Sequence, residues 1–427
     1  MWLNKENITD QQVISLTEKY GTPLYLYDGD YLYRQYINWR ENLAENVDIF
    51  LSLKANNNLS IANLFCSWGA GIEVASLGEL NLALTAGFKP YNIIFSGPGK
   101  TREELKFAIK NKIYSIIVES EQEFHLISEI AKEEELKVPV SIRINPDNRL
   151  CNTTIKMGGI PSQFGIDEQQ IYKIIPQLKE NANLHLMGIH IYNGTQNLDE
   201  ESLMNSFSYT IKLAVELQQK FNVSLTFINL GGGFGIPYFT NEKPLDMQSL
   251  TNRINNLIRK FKYIFPDTRF VLESGRYLLA GSGLYVSRVL YTKTSKNANF
   301  IIVDGGMHQN VVSTFRGKIV RNNFPIRVVT REEVTTSQKS KVSIVGPLCT
   351  PEDCLARNIE LPNVNVGDLI CILNTGAYGL SFSPTLFLGH NTPAEAIVIT
   401  GKEYLIRERG NIENLLLNQF SNPNILV

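Results

Sequence analysis

A closed (β/α)8 barrel followed by a β-rich domain is the fold class this 427-residue sequence predicts. Three observations predict it. Between residues 47 and 275, short near-continuous apolar runs alternate with amphipathic stretches of helical length, the pattern of a parallel sheet covered on both faces. There are eight such runs, the number that closes a barrel, although an open doubly wound sheet accommodates the same alternation. After about residue 280 the texture changes to strand-like runs with few helices between them.

In chain order the apolar runs are VDIFLSL, IEVAS, NIIFSG, YSIIVES, VSIRIN, MGIHIY, TFINLGG and RFVLESG. Helical candidates between them include TREELKFAIKN, SEQEFHLISEIAKEEE and LMNSFSYTIKLAVELQQKF. Beyond the barrel, GLYVSRVLYTKTS, NFIIVDGG, IRVVTREE, KVSIVGPLC, DLICILNTG and EAIVIT read as strands, and the early TPLYLYD is expected to join them. The expected division is 1–28 as an N-terminal strand joining the β-domain, 29–280 as the barrel and 281–427 as the β-domain. The polar stretch TREEVTTSQKSK, 330–341, reads as an exposed hairpin or loop, and no internal repeat or low-complexity segment stands out.

Composition narrows the function classes. A formal net charge of −1 with 43% hydrophobic residues leaves no electrostatic footprint for nucleic acid or an anionic membrane. The opening MWLNKENITDQQ is too polar for a signal peptide. No stretch approaches the ~20 apolar residues of a membrane helix. Five cysteines (66, 151, 349, 354 and 371) without CxxC pairs argue against a disulfide scaffold or a zinc site, and a reducing cytoplasm is expected.

Barrel chemistry sits where strands run into the loops at their carboxyl ends. Polar residues fall there repeatedly: Lys54, Glu73, Ser96, Arg143, Asn145, His190, Glu273 and Arg276. The seventh run ends in NLGGGFG, where Gly231, Gly232 and Gly233 expose backbone N–H groups and admit an anion. Barrel phosphate sites commonly follow strands seven and eight. GPGKT, 97–101, resembles half of a nucleotide P-loop, but Ile94 stands where the first glycine is needed, so it reads as a turn before a helix. Singly, Lys54 reads as a snorkelling surface lysine, Glu273 as a salt-bridge residue and the glycines as a flexible turn. Together, a phosphate loop and a strand-end lysine point to pyridoxal phosphate, with Lys54 as Schiff-base lysine and Glu273 partnering the ring nitrogen.

In order, LSLKANNN, GIEVASLGEL, IRINP, IHIYNGTQ, NLGGGFG, ESGR, VGPLCTPEDCLA and NTGAYGLSFSP resemble the fold-type III pyridoxal-phosphate decarboxylases, the group of diaminopimelate, ornithine and arginine decarboxylases. The resemblance runs from GTPLYLYD to TPAEAIV. It implies that Lys54 carries the cofactor and that His190 stacks on the ring, the alternative being a core histidine. It implies that Thr195, where relatives often have serine, surrounds the cofactor with Gly231, Gly232, Gly233, Gly275, Arg276 and Tyr378. Glu73 and Glu79 fall on acidic positions near the pocket, tuning Lys54 or holding structure. Cys349 is implied as the general acid returning a proton to the α-carbon, supplied by the second subunit of a homodimer with shared active sites. The alternative for Cys349 is a small core residue, the reading preferred for Cys354 and Cys371.

The substrate end departs from that family's pattern. Diaminopimelate decarboxylases read GPLCES, and their carboxylate after the cysteine recognises a distal ammonium; here the residue is Thr350, whose hydroxyl carries no charge. Val312 and Arg316 replace a substrate-binding arginine and tyrosine, and FLGHNTPAE replaces an arginine-rich segment. Arg276, Arg316, Thr350 and Tyr378 form the expected substrate set, with Arg316 alternatively a surface residue. IKMGG, ESGRYLLA, STFRG and CTPEDCL are most similar to the branch acting on glutamate held as a thioester on an acyl carrier protein in antibiotic biosynthesis. The expected reaction is α-decarboxylation of an L-amino acid without a distal ammonium, an aminoacyl group on such a carrier. Lys318, Arg321, Arg327 and Arg331 either meet an acidic carrier or form a solvated face. Free meso-diaminopimelate decarboxylation, amino-acid racemisation and non-catalytic cofactor carriage are the alternatives.

Overall fold

Eight parallel strands pair in chain order and close: Val47–Ser52, Gly71–Val74, Ile93–Phe95, Ser115–Val118, Val138–Asn145, Leu184–His190, Phe227–Asn229 and Arg269–Ser274. The last strand pairs with the first in the register Leu272↔Ile49 and Glu273↔Phe50, which rules out the open sheet. The structure is a computed structural model that describes residues 8–147, 155–156, 158–239, 241–315, 322–330 and 339–421. Phe50, Ile94, Ile117, Phe227 and Val271 are buried together, drawn from five different barrel strands. Side chains facing both ways are excluded from water, which is why these runs read as continuous apolar sequence.

The helices start where side chains can cap them. Thr101 and Glu104 form a reciprocal capping box at the start of Arg102–Lys110, and Ser120 caps Glu121–Glu133. Asp199 caps the long helix Glu200–Phe221, which ends at Asn222 in the left-handed conformation. GPGKT is indeed the turn before a helix. Its Lys100 is buried, donating to the Ile117 carbonyl at 2.9 Å and pairing with Glu123 at 2.7 Å, so it is a structural cation.

Two compact units divide the chain, Tyr33–Leu279 and a second one made of Met1–Leu32 with Ala280–Val427. In the second, Leu24–Asp28 lies between Gly283–Ser295, to which it is antiparallel, and Ala394–Ile399, to which it is parallel. The N-terminal strand thus joins the β-rich unit. Strands Ala298–Val303, Lys339–Val345, Ile326–Val329 and Leu369–Leu373 extend the same sheet. Its core gathers Val13, Leu16, Leu24, Leu26, Val286 and Cys371.

The elements that went unpredicted include one helix and two strands of the β-rich unit. Helix Asp10–Tyr20, opened by a Thr9–Gln12 capping box, buries only Val13, Leu16 and Thr17, too few apolar positions to stand out from its polar surroundings. Strands Cys354–Pro362 and Lys402–Arg407 lie at the ends of the sheet path. Their outer stretches are exposed, so they lack the apolar runs of buried strands. Arg316, Lys318, Arg321, Arg331 and most of the 330–341 stretch lie outside the described residues. Among the described residues, no helix is long and apolar enough to cross a membrane, and no acid, histidine or cysteine cluster forms a metal site.

Candidate active site

A polar side chain stands at or just beyond the carboxyl end of each barrel strand, and the chain geometry brings several of them into contact. Lys54 lies on the single 3₁₀ turn Leu53–Ala55, directly after the first strand. Its Nζ donates to both carboxylate oxygens of Glu73 at 3.0 and 2.9 Å. Glu73 is on the neighbouring second strand, in register with Ser52, and is only 2% exposed. Burial pushes its carboxyl up, but the Lys54 ammonium and its hydrogen bonds, with the Ser52 hydrogen bond and the Arg143 charge, together outweigh burial and hold Glu73 below the usual carboxylate range. The Tyr192 ring centre is 6.0 Å from the ammonium. Lys54 is thus held by a buried acid rather than snorkelling to solvent as an isolated surface lysine would.

Glu273, near the end of the eighth strand, is equally buried. Its Oε1 accepts a hydrogen bond from Asn229 Nδ2 at 2.7 Å, and His190 Nε2 stands 3.5 Å from the same oxygen. Burial, then the charge of Glu73, push its carboxyl up to about 7, against the pull of Lys54, the Asn229 bond and Arg143. His190 is also buried, and among the described residues neither ring nitrogen has a hydrogen-bond partner. Burial, then the charges of Arg143 and Lys54, drive its pKa well below the ordinary histidine value. The ring is a neutral imidazole near neutral pH, suited to lie against another flat group. Glu79, in the first turn of helix Leu77–Thr85, accepts from the Ala75 N–H at 2.8 Å, and burial with Glu73's charge pushes it up to about 7.

The glycine loop admits no side chains. Gly231 and Gly233 have φ of +72° and +95°. A Cβ on Gly231, Gly232 or Gly233 would stand 2.3, 2.1 or 2.4 Å from the carbonyl oxygens of Ile191, Glu273 and Gly194. The loop is tied to the strand ends by Glu273 N–H to Gly231 O at 2.8 Å and Gly231 N–H to Asn229 Oδ1 at 2.8 Å. Thr195 lies beside it, its Cα 3.9 Å from where a Gly233 Cβ would be. Gly275 packs the eighth-strand end against the Lys54 turn, since a Cβ there would meet Ala55 Cβ at 2.6 Å. Arg276 follows, donating from Nη1 to the Tyr238 hydroxyl at 2.8 Å.

The barrel unit therefore collects Lys54, Glu73, Glu79, His190, Thr195, Gly231, Gly232, Gly233, Glu273, Gly275 and Arg276 at its strand ends. Cys349, Thr350 and Tyr378 belong to the β-rich unit. Cys349 is exposed, Thr350 Oγ1 accepts from the Glu352 N–H at 3.4 Å, and Tyr378 sits at φ +58° with its ring edge-on to Phe382. Sequence reasoning missed Asn229, Tyr238 and Glu119, whose carboxylate receives Arg143 Nη1 at 3.0 and 3.1 Å. The available signal was a polar residue interrupting an apolar run, as Asn229 does in TFINLGG.

The raised carboxyls carry a pH prediction. Between the ordinary value of 4.5 and about 7, folded Glu273 and Glu79 bind protons that the unfolded chain has released. Their stabilisation is present below 4.5 and is lost as pH rises through about 7. Glu73 acts oppositely, losing its contribution as pH falls through its lowered value. Thermal scans of cofactor-free protein from pH 5 to 8 are expected to show Glu79→Gln stabilised relative to wild type more at pH 8 than at pH 5. An equal offset at both ends would contradict the assignment.

These residues fit pyridoxal phosphate on their own terms. The crowded glycine backbone leaves N–H groups for a phosphate, and Lys54 supplies an amine. A buried carboxyl poised near 7 would be drawn back to its ionised form by a cationic ring nitrogen, beside a neutral imidazole.

Residues 30–280 match the family model described as pyridoxal-dependent decarboxylase, pyridoxal binding domain. The chain is 46% identical over 423 residues to the L-glutamyl-[BtrI acyl-carrier protein] decarboxylase of Niallia circulans, covering 99% of each. It is 33% identical over 401 residues to a diaminopimelate decarboxylase of Campylobacter jejuni, covering 93% of this chain and 96% of that one. Among solved structures, diaminopimelate decarboxylase from M. jannaschii in co-complex with L-lysine superposes with a TM-score of 0.88 at 30% identity, over 96% of this chain and 95% of that one. Diaminopimelate decarboxylase from Helicobacter pylori complexed with L-lysine gives 0.85 at 32%, over 95% and 98%. A lysine held by a buried acid and a side-chain-free glycine loop, both at strand ends of one barrel, are thus found within a chain that aligns with these enzymes along nearly its whole length, and the chain belongs to the pyridoxal-dependent decarboxylases, with pyridoxal phosphate as cofactor.

Proposed function

We propose that this decarboxylase removes the α-carboxylate of an L-amino acid lacking a distal ammonium, presented as a glutamyl-like aminoacyl group on an acyl carrier protein. The 46% identity along 99% of both chains to a decarboxylase of that substrate carries the reading. Thr350 supports it, because a hydroxyl leaves a distal ammonium without a counter-charge. Arg276, Arg316, Thr350 and Tyr378 are the proposed substrate contacts.

In this reading the bound cofactor supplies a sink for the electron pair left when the bond from the α-carbon to the carboxylate breaks. Lys54 is its point of attachment, and Glu73 holds the amine when it is free. Glu273 keeps the ring nitrogen's proton, which requires the carboxylate form. His190, neutral, packs against the ring without competing for that proton. Thr195, Gly231, Gly232, Gly233, Gly275 and Arg276 hold the phosphate end. Cys349 of a second copy returns the proton to the α-carbon, so each site is completed across a homodimer.

Exposed apolar side chains support self-association. Phe382, Leu386, Ile412, Leu416, Leu417 and Phe420 are 64–92% exposed, and clustered exposed apolar side chains are a mark of interaction sites. The 386–389 and 412–416 segments adjoin, since a Cβ on Gly389 would meet Leu415 Cδ2 at 3.0 Å.

The test is CO2 release by the cofactor-loaded protein from glutamyl-carrier thioester, free glutamate and meso-diaminopimelate. The thioester is expected to react fastest by at least about tenfold. Preference for meso-diaminopimelate would move the assignment to that substrate, and epimerised substrate without CO2 to a racemase.

A further inference from the structure

Cys349 stands at an exposed turn between strands Lys339–Val345 and Cys354–Pro362. A proton donor must return to one place, yet turns are ordinarily mobile. This turn is closed by its own backbone: Gly346 N–H to Asp353 O at 3.1 Å, Asp353 N–H to Thr350 O at 3.2 Å and Thr350 N–H to Leu348 O at 2.8 Å. Beneath it lies the side chain of Asp353, which is 2% exposed.

Its two oxygens have separate partners. Oδ2 accepts from the Leu348 N–H at 2.9 Å, next to Cys349, and Oδ1 accepts from the Met307 N–H at 2.6 Å, in the segment after strand Ala298–Val303. Two glycines make the room. A Cβ on Gly306 would stand 2.5 Å from Oδ1, and one on Gly346 would stand 2.3 Å from Oδ2. The glycines of DGGM and of VGPLC thus answer to one carboxylate. Burying a carboxylate is costly unless hydrogen bonds to it replace those of water, and two charge-assisted bonds from backbone N–H groups do so here. What these fix is the backbone immediately before Cys349.

We propose that Asp353 is a positioning residue for Cys349, pinning the turn to the Met307 segment so that the thiol is presented in one orientation. This rests on Cys349 being the proton donor. An ordinary structural role for Asp353 would lower stability and every activity together, whereas positioning separates them.

The experiment compares wild-type, Asp353→Asn and Gly346→Ala holoenzymes. An asparagine amide keeps one acceptor but turns an NH2 toward the second N–H, and a methyl on Gly346 displaces the carboxylate while leaving its charge. For both variants kcat is expected to fall about tenfold, the loss of one charge-assisted bond, with KM and pyridoxal phosphate affinity within about twofold. In cofactor-free protein, the rate of Cys349 alkylation by iodoacetamide, read by peptide mapping, is expected to change about fivefold or more. Unchanged alkylation overturns the proposal. So does a loss of cofactor affinity matching the loss of kcat. Should Cys349→Ala retain turnover, the proton-donor reading fails, and the alkylation rates still decide whether Asp353 orders the turn.

Discussion

Lys54→Ala is expected to lower turnover by roughly 10³-fold or more, as removal of a covalent-catalysis nucleophile does. Borohydride reduction of wild-type holoprotein should fix the cofactor on the peptide carrying Lys54, and the variant should retain none after denaturation. The geometry gives the variant a second phenotype. Glu73 loses both bonds from Nζ, at 3.0 and 2.9 Å, while remaining buried among strand ends. Burial is then opposed only by the Ser52 hydrogen bond and the Arg143 charge, and the Glu73 pKa rises above its wild-type value. The cofactor-free variant should therefore be less stable than wild type at pH 8 and recover toward it as pH drops and Glu73 takes a proton. Cofactor reduced onto a different lysine, or turnover within about tenfold of wild type, would remove Lys54 from its role.

Why Lys54 was legible at all is instructive. Barrel strands are buried on both faces, so any polar residue in or just after one is conspicuous. Lys54, Glu73, His190 and Glu273 each interrupt an apolar run near its carboxyl end, where barrel chemistry lies. Asn229 also interrupts a run, but its task is defined by Glu273, a partner 44 residues on, and no local pattern reveals it. Asp353 is hidden further still, its significance depending on the N–H of Met307, 46 residues earlier, and on two glycines that are otherwise ordinary turn residues. The same asymmetry governs the fold. Continuous runs disclosed the eight barrel strands, whereas Cys354–Pro362 and Lys402–Arg407 lie at the ends of the sheet with three exposed residues each. An exposed strand carries no obligation to be apolar, and so leaves little trace in sequence.

Cys349→Ala should separate cofactor binding from turnover more cleanly than any barrel substitution. The side chain is exposed, so its removal opens no cavity, and melting temperature and cofactor content are expected to match wild type. Turnover should fall roughly 10²–10³-fold, the range for a lost general acid. Retained turnover would assign the proton to another donor. A mixture of the two inactive variants then asks where the thiol comes from. In a shared-site homodimer, a Lys54→Ala chain lends its intact Cys349 to the site of a Cys349→Ala chain, whose lysine is intact. The reciprocal site of that mixed dimer lacks both groups. Random reassortment makes half the dimers mixed, with one competent site of two, so activity should recover to about a quarter of wild type. If thiol and lysine instead come from the same chain, every site in the mixture lacks one of them and activity stays at the level of the single variants. Recovery on mixing would therefore place Cys349 and Lys54 on different chains, a distinction that neither single substitution can make.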